Sequence, residues 1–366
     1  MKANFYFTAV LFGIFTTSCT DTQSEYTNIP ADKIAIGKAI FFDTNLSNPI
    51  GQACASCHSP EKAFSDPNNA AISQGALPNS FGKRNAPSLS YNVFSPLRFY
   101  NEVDETYVGG LFLDGRALNL QEQFIHPLLN PIEMNNTSAA EVGNKIRNAS
   151  YFSNLVSIYG AATSDSALLS YAADALSKYQ KSSEVNSFTS KFDYASKGLV
   201  SYSEDEKKGL NLFKDKAKCA LCHVLDGDET TGKVLFTDFT YDNIGVPRNE
   251  MHPFYNQPLS VNPEGINFID LGIGTIVNQP QHNGKFKVPT LRNIAITGPY
   301  FHNGSFSTLK EVIHFYNVRD LNTNEFGVAE YSQNLNVTEL GNLQLTETEE
   351  YQLETFLLTL TDHYRK

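Results

Sequence analysis

The sequence predicts a mainly α-helical protein built from two helical domains, and three observations lead to this prediction. The chain has 366 residues, which is long enough for two domains with their own cores. The pentapeptide Cys-x-x-Cys-His occurs twice, at residues 54–58 and 219–223. A helical pattern precedes each copy. A helix leading into each copy indicates a duplicated domain.

Each Cys-x-x-Cys-His copy is typical of covalent haem c attachment. The two thiols form thioethers to the haem, and the adjacent imidazole becomes the proximal iron ligand. The alternatives are a zinc site, a redox dithiol or disulfides, but zinc ribbons separate their two Cys-x-x-Cys pairs by only about 15 to 20 residues. We therefore expect two cytochrome c-like domains, each with one covalently bound haem c. The attachment residues are Cys54, Cys57, His58, Cys219, Cys222 and His223.

Residues 1–19 are similar to a bacterial lipoprotein signal sequence. Lys2 precedes the apolar stretch 5–15, and small residues then lead to Cys19, the fifth cysteine. The stretch is too short to span a bilayer and is typical of a secretory signal. We expect a lipidated Cys19 to be the only membrane contact of a protein in the periplasm of a Gram-negative bacterium. A plain signal peptide is the alternative, and 20–29 is predicted to be a tether.

The acidic composition constrains the partners. The formal net charge is −11 and the pI is about 5.2. Nucleic acid and anionic membranes would repel such a protein, whereas a small basic electron donor would be attracted.

The first domain is predicted at 30–198 and begins with a helix. In the stretch 31–42, Ile36 and Ile40 are four residues apart, as on one face of a helix. The domain boundary is predicted within 191–203, where Gly198 is flanked by serines and tyrosines.

The second domain is predicted at 199–366. Capping-box patterns at Ser203, Thr308 and Thr346 predict three helix starts. Residues 230–281 lack helical periodicity and are predicted to be loops around the second haem. Four residues of the last helix are predicted to be core: Leu353, Phe356, Leu357 and Leu360.

The chain resembles the bacterial diheme cytochrome c peroxidases, in the wider family that includes the MauG enzymes. The resemblance implies a mostly helical pair of cytochrome c domains, an oxidoreductase activity on hydrogen peroxide, and an active site at the N-terminal haem. The matching blocks are 37–42, 54–58, 63–66, 84–89, 114–116, 121–123, 130–134, 219–223, 288–293 and 297–304.

The resemblance implies a distal pocket above the N-terminal haem. Glu133 lies where the family places its acid-base carboxylate, and Gln123 where it places an amide that can hydrogen-bond peroxide. Pro127 stands where the family packs a proline over the iron. Together with Pro131, it is also expected to break a helix between the two catalytic residues.

One departure from the family concerns the N-terminal iron. In members that need prior reduction, a loop histidine caps this iron, but here Ala76 stands at that position. The resemblance then implies an iron open to peroxide. His126 is an alternative sixth ligand, although a histidine at a helix end is the commoner interpretation.

A second departure concerns the C-terminal iron. By family position its ligands are His223 and Tyr316, where ordinary members have methionine and MauG-like members have tyrosine. A phenolate favours ferric iron, whereas a thioether favours ferrous iron. His314 is two residues away and receives no role.

A third departure concerns the path between the haems. The family usually has a relay tryptophan directly before Asp-Gly-Arg, but the chain contains no tryptophan and has Leu113 there. Phe112, Tyr107, Tyr100 and direct haem contact are the alternatives.

The resemblance also implies a Ca²⁺ ion between the haems. Asn85 would bind through its side chain, and Thr297 and Pro299 through their carbonyls. From the residues alone these segments read as turns.

Three functional hypotheses follow. The first is a peroxidase that reduces hydrogen peroxide to water with electrons from a small cytochrome c or cupredoxin, with a homodimer as one alternative for its assembly. The second is a MauG-like enzyme that oxidises a partner protein. The third is a non-enzymatic diheme electron carrier, which would not need an acid-base residue such as Glu133.

Overall fold

The computed structural model describes residues 29–228 and 232–365. The predicted signal sequence, Cys19 and nearly all of the tether lie outside this range. Within it, no helix is long and apolar enough to cross a membrane. The predicted mainly α fold is confirmed. The α-helices are α1 (Ala31–Phe41), α2 (Leu120–Leu129), α3 (Ala139–Arg147), α4 (Phe152–Tyr159), α5 (Asp165–Gln180), α6 (Lys191–Ser196), α7 (Glu204–Lys214), α8 (Ile273–Val277), α9 (Leu309–Val318), α10 (Thr323–Phe326) and α11 (Glu347–Leu358).

The strands are few and short. Strands β1 (Phe99–Asn101) and β2 (Thr106–Val108) form an antiparallel hairpin. Strands β3 (Tyr241–Asp242) and β4 (Phe286–Lys287) form a second antiparallel pair. Short 3₁₀ helices occur at Thr44–Leu46, Cys54–Ser56, Pro60–Lys62, Asn92–Phe94, Cys219–Leu221, Pro253–Asn256, Gly265–Asn267, Pro280–His282 and Ile294–Ile296.

The predicted helix starts are confirmed. Ser203, Thr308 and Thr346 each cap a helix, and each forms the reciprocal bond with the residue three positions later. This arrangement satisfies two backbone donors that a helix N-terminus otherwise leaves free. Helix α1 begins at Ala31, directly after Pro30 and without a side-chain cap.

The same helix crossing occurs in both halves of the chain. Helix α1 crosses α5 at Gly37, where a Cβ atom would lie 2.0 Å from the Ala175 carbonyl oxygen. Helix α7 crosses α11 at Gly209, where a Cβ atom would lie 2.0 Å from the Gln352 carbonyl oxygen. Only glycine permits such a close backbone approach. The helix before each Cys-x-x-Cys-His motif is therefore fixed in the same way, as expected for a duplicated domain.

Two large apolar cores follow from these crossings. The buried residues of the first core lie between Ile36 and Val185 in the sequence, and those of the second lie between Phe192 and Leu360. The four predicted core residues of the last helix are all buried. Helix α6 thus packs with the second core, although it precedes the boundary predicted at residue 198.

A buried ion pair fixes α6 to the second half. Both Arg292 terminal nitrogens donate to the Asp193 carboxylate, at 3.0 and 2.9 Å. Arg292 also donates to the Val234 carbonyl oxygen. Because both charges are buried, loss of either partner would leave an unpaired charge in the core.

The long loop region after the second motif also reaches the first half of the molecule. Phe254, Tyr255 and Phe268 form a small apolar cluster with Ile132. The region was predicted to surround the second motif, but this part of it covers the segment next to Glu133.

Candidate haem and peroxide site

One cavity of about 950 Å³ connects the two Cys-x-x-Cys-His motifs. Cys54, Cys57 and His58 line one part of it, and Cys219, Cys222 and His223 line another. The fold therefore brings both predicted attachment sites to a common, mostly apolar space between the two cores.

The first motif aims one imidazole nitrogen at the cavity. The 3₁₀ turn Cys54–Ser56 places His58 so that its Nδ1–H donates to the Phe64 carbonyl oxygen at 3.0 Å. Burial lowers the pKa of His58, while the carbonyls of Phe64 and Pro87 oppose this shift. A neutral imidazole with its Nδ1 fixed to a carbonyl presents Nε2 as a metal ligand.

The second motif repeats this geometry. The His223 Nδ1–H donates to the Phe236 carbonyl oxygen at 2.8 Å. Burial lowers the pKa of His223 to about 4, opposed by the carbonyls of Phe236 and Pro289. Of the histidines in the described residues, His58, His223 and His302 line the cavity.

The four cysteines of the two motifs are unpaired thiols. Burial raises the pKa of Cys57 to about 11 and the pKa values of Cys54, Cys219 and Cys222 to about 12. The described residues bring no set of four cysteines together, as a zinc site made of both Cys-x-x-Cys pairs would require. Neutral thiols and a free imidazole nitrogen at each end of an apolar cavity fit two haem c groups.

Glu133 and Gln123 lie in the wall of this cavity, together with Pro127. The Asn130 side-chain amide donates to Glu133 Oε1 at 2.8 Å. Burial raises the pKa of Glu133, and the charge of Arg116 and the Asn130 hydrogen bond oppose this shift only in part. A carboxyl group with a raised pKa keeps its proton to a higher pH than an ordinary glutamate, which suits an acid-base role.

The helix that carries Gln123 ends between Gln123 and Glu133, as expected, although Pro127 does not break it. Helix α2 continues through Pro127 and ends at Leu129. The chain then turns at Asn130, whose side-chain oxygen accepts from the Ile132 N–H. Gln123 thus projects from a helix and Glu133 from the turn that follows it.

The loop with Ala76 packs closely against this turn. The Ala76 N–H donates to the Glu133 carbonyl oxygen at 2.7 Å. A Cβ atom on Gly75 would lie 2.2 Å from the Ile132 carbonyl oxygen. The loop supports the backbone of Glu133, and Ala76 itself does not line the cavity.

His126 does not line the cavity either. Its ring packs edge-on against Phe112, with 5.5 Å between the ring centroids. His314 is also engaged elsewhere, because its two nitrogens lie 2.9 Å from Glu350 and 3.2 Å from Glu325. These positions agree with the interpretation of His126 as a histidine at a helix end.

Tyr316 lines the cavity from helix α9. Burial raises its pKa, and the nearby Cys222, Cys219 and Asp242 add to this shift. Tyr316 thus shares the cavity wall with Cys219 and Cys222 of the second motif. A metal ion next to the Tyr316 hydroxyl would be needed to favour its deprotonated, phenolate form.

Two carboxylates beside the second motif are not signalled by any local sequence pattern. Asp242, Glu339 and Cys222 place one atom each within 4.8 Å of one another. The Asn336 amide donates to both carboxylates, at 2.6 Å each. They come together only in the folded chain, because Asp242 belongs to β3 and Glu339 to a distant loop.

The predicted calcium ligands share the cavity wall. Asn85, Thr297 and Pro299 all line it. The Asn85 side-chain nitrogen donates to the carbonyl oxygens of Ala70 and Ala71, at 3.3 and 3.0 Å. Its side-chain oxygen is therefore the atom left for a cation.

The structure distinguishes among the residues that could carry electrons between the two motifs. Leu113 and Phe112 line the cavity, whereas Tyr100 and Tyr107 do not. The two tyrosines pack on each other at 5.0 Å, in the β1–β2 hairpin. They lie outside the space that joins the two motifs.

Comparisons with known proteins agree with this geometry. A family model described as di-haem cytochrome c peroxidase matches residues 31–201. The chain is 35% identical over 355 residues to the methylamine utilization protein MauG of Paracoccus denitrificans (strain Pd 1222), covering 91% of this chain and 90% of that protein. It is 28% identical over 302 residues to the cytochrome c peroxidase Ccp of Escherichia coli (strain K12), covering 79% of this chain and 56% of that protein.

Solved structures show the same likeness. The diheme peroxidase BthA from Burkholderia thailandensis E264 superposes with a TM-score of 0.82 at 32% identity, covering 92% of this chain and 87% of that chain. A MauG-like protein associated with microbial copper homeostasis superposes with a TM-score of 0.70 at 28% identity, covering 92% of this chain and 91% of that chain.

Proposed function

Because the chain belongs to the di-haem cytochrome c peroxidase family, which includes the MauG proteins, we propose that it reduces hydrogen peroxide to water. In this reaction one peroxide takes up two electrons and two protons and yields two waters. The electrons come from a small redox protein such as a cytochrome c or a cupredoxin. The observation that carries the proposal is Glu133, a carboxyl group of raised pKa in the same cavity wall as the His58 motif.

The two motifs would hold two haem c groups. Cys54 and Cys57 would attach one haem, with His58 on its iron, and Cys219 and Cys222 the other, with His223 and Tyr316 on its iron. When bound, haem iron supplies the redox chemistry that protein side chains lack.

Glu133 would move the proton that peroxide cleavage requires. Its carboxylate accepts a proton from the bound peroxide and returns it to the oxygen that leaves as water. The Asn130 amide holds Oε1 in position. Gln123 would orient the peroxide by a hydrogen bond, and Pro127 would narrow the space around it.

A second candidate function is the oxidation of a partner protein, as in MauG-like enzymes. Tyr316 in the cavity wall and the similarity to a MauG protein over 91% of the chain favour it. Leu113 stands in the place of the relay tryptophan and weighs against the same electron path as in the MauG enzymes. A pure electron carrier is the least favoured, because it would have no use for Glu133.

Further elements of the proposal concern the surroundings of the reaction. Asn85, Thr297 and Pro299 would hold Ca²⁺ through neutral oxygen atoms, as this ion prefers. We place the protein in the periplasm, with a lipidated Cys19 as its membrane anchor. The net charge of −11 favours a basic electron donor.

The decisive experiment mixes the all-ferric holoprotein with stoichiometric hydrogen peroxide in a stopped-flow spectrometer. A rapid change of the visible haem bands is expected, since Ala76 supplies no capping ligand. No change before one haem is reduced would show that a sixth ligand blocks the N-terminal iron. No turnover with peroxide and a reduced donor under either condition would refute the peroxidase assignment.

A further inference from the structure

We propose, on the premise that both motifs carry haem as proposed above, that Phe286 and His302 form the electron path between the two haem sites. The chain has no tryptophan, and Leu113 offers no ring. An aromatic contact between the sites must therefore come from elsewhere in the fold.

Phe286 and His302 form a tightly stacked pair. Their ring centroids lie 3.8 Å apart and their planes differ by 9°. His302 Nε2 lies 2.9 Å from the Glu330 carboxylate, and both side chains are 6% exposed. Phe286 and His302 both line the cavity. The stack is thus fixed by a buried polar contact between His302 and Glu330.

The pair contacts the segment that supports the first motif. The Arg84 guanidinium lies 5.4 Å from the centroid of the Phe286 ring. The Asn85 N–H donates to the His302 carbonyl oxygen at 2.8 Å. This segment continues to Leu89, whose N–H donates at 3.1 Å to the Phe64 carbonyl oxygen, the same atom that accepts from His58.

The pair also contacts the segment that supports the second motif. Phe286 pairs with Asp242 in the β3–β4 ladder, and Asp242 lies beside Cys222. Two residues after Phe286, the Val288 carbonyl oxygen accepts from the Thr237 hydroxyl at 2.7 Å, and the neighbouring Phe236 carbonyl accepts from His223. Phe286 therefore touches the supporting segments of both imidazoles.

The alternative rings lack this double connection. Phe112 lines the cavity, but its ring is covered by the Arg116 guanidinium at 3.5 Å and by His126, both from the first half of the chain. Tyr100 and Tyr107 pack against His282, at 6.0 and 5.1 Å, and lie outside the cavity wall.

The step itself is a single electron transfer. One electron would pass from the haem held at His223, which would be oxidised, to the haem held at His58, which would be reduced, and no bond would form or break. Two closely packed rings reduce the through-space gap that the electron must cross between the two haem sites. A Phe286→Leu substitution would open a gap in this contact, since the leucine side chain cannot stack on the imidazole.

The test uses the diheme holoprotein under anaerobic conditions without peroxide. A light-generated flavin radical delivers one electron, and the visible bands of the two haems report its redistribution. In the Phe286→Leu variant we expect the inter-haem rate constant to fall about tenfold, equivalent to about 1.4 kcal/mol in activation free energy. The Phe286→Tyr variant keeps the ring and should retain the wild-type rate.

Phe112→Leu is the matched control, because it removes a second phenylalanine from the same cavity wall. Its inter-haem rate should equal that of the wild type. A wild-type rate in Phe286→Leu, or equal slowing in both leucine variants, would overturn the assignment. Because no peroxide is used, the result is separable from the peroxidase proposal: a protein inert towards peroxide could still show the slowed exchange.

Discussion

Replacing Glu133 with glutamine tests the proposed proton transfer most directly. In the wild-type chain the Asn130 amide donates to Glu133 Oε1 at 2.8 Å. Glutamine keeps an oxygen that can accept this hydrogen bond, but it cannot take up a proton as the carboxylate does. General acid-base catalysis contributes roughly 10²- to 10⁴-fold, so the barrier should rise by about 3 to 5 kcal/mol. We expect kcat for peroxide reduction to fall by that factor while both haems stay attached.

The assay is steady-state peroxide reduction with an artificial electron donor, normalised to the haem content. Glu61→Gln provides the control, because Glu61 is an exposed carboxylate of the same half of the chain. If Glu133→Gln turned over peroxide as fast as Glu61→Gln, the acid-base role would have to be abandoned.

The pH profile gives a second readout of the same substitution. Burial raises the pKa of Glu133, so its proton-accepting carboxylate form is lost at higher pH than that of an ordinary glutamate. Activity should therefore decrease as the pH falls through this raised pKa, and the glutamine variant should lack that decrease. An unchanged acidic limb in the variant would assign it to another group.

Three further predictions concern the second half of the chain. Tyr316→Phe should change the visible and electron paramagnetic resonance spectra of the C-terminal haem without loss of haem, and an unaltered spectrum would remove Tyr316 from the iron. Asp242→Asn should raise the midpoint potential of that haem by about tens of millivolts in a redox titration, because a nearby negative charge stabilises ferric iron; an unchanged potential would show that this carboxylate is screened. Asp193→Asn leaves the Arg292 charge unpaired in the core and should lower the free energy of unfolding by about 3 to 5 kcal/mol, measured by urea denaturation. A decrease in the free energy of unfolding of less than about 1 kcal/mol is typical of an exposed ion pair and would contradict the buried position of the Asp193–Arg292 pair.

The sequence by itself determined the local features of this protein. The two pentapeptides specify their own chemistry, because the cysteines and the histidine of each motif act within one turn of the chain. Ser203, Thr308 and Thr346 predicted their helix starts because a capping box is a contact over three residues. The resemblance to a known family, carried by ordered motifs, supplied Glu133, Gln123 and Tyr316 as candidates, whose catalytic and ligand roles stay predictions.

Only the tertiary structure decided how distant segments meet. It brought Asp242 next to Glu339, stacked Phe286 on His302, and placed Tyr100 and Tyr107 outside the cavity. It also assigned α6 to the second core and kept α2 helical through Pro127. These contacts join residues far apart in the chain, so no local pattern encodes them, and packing around the common cavity determines them instead.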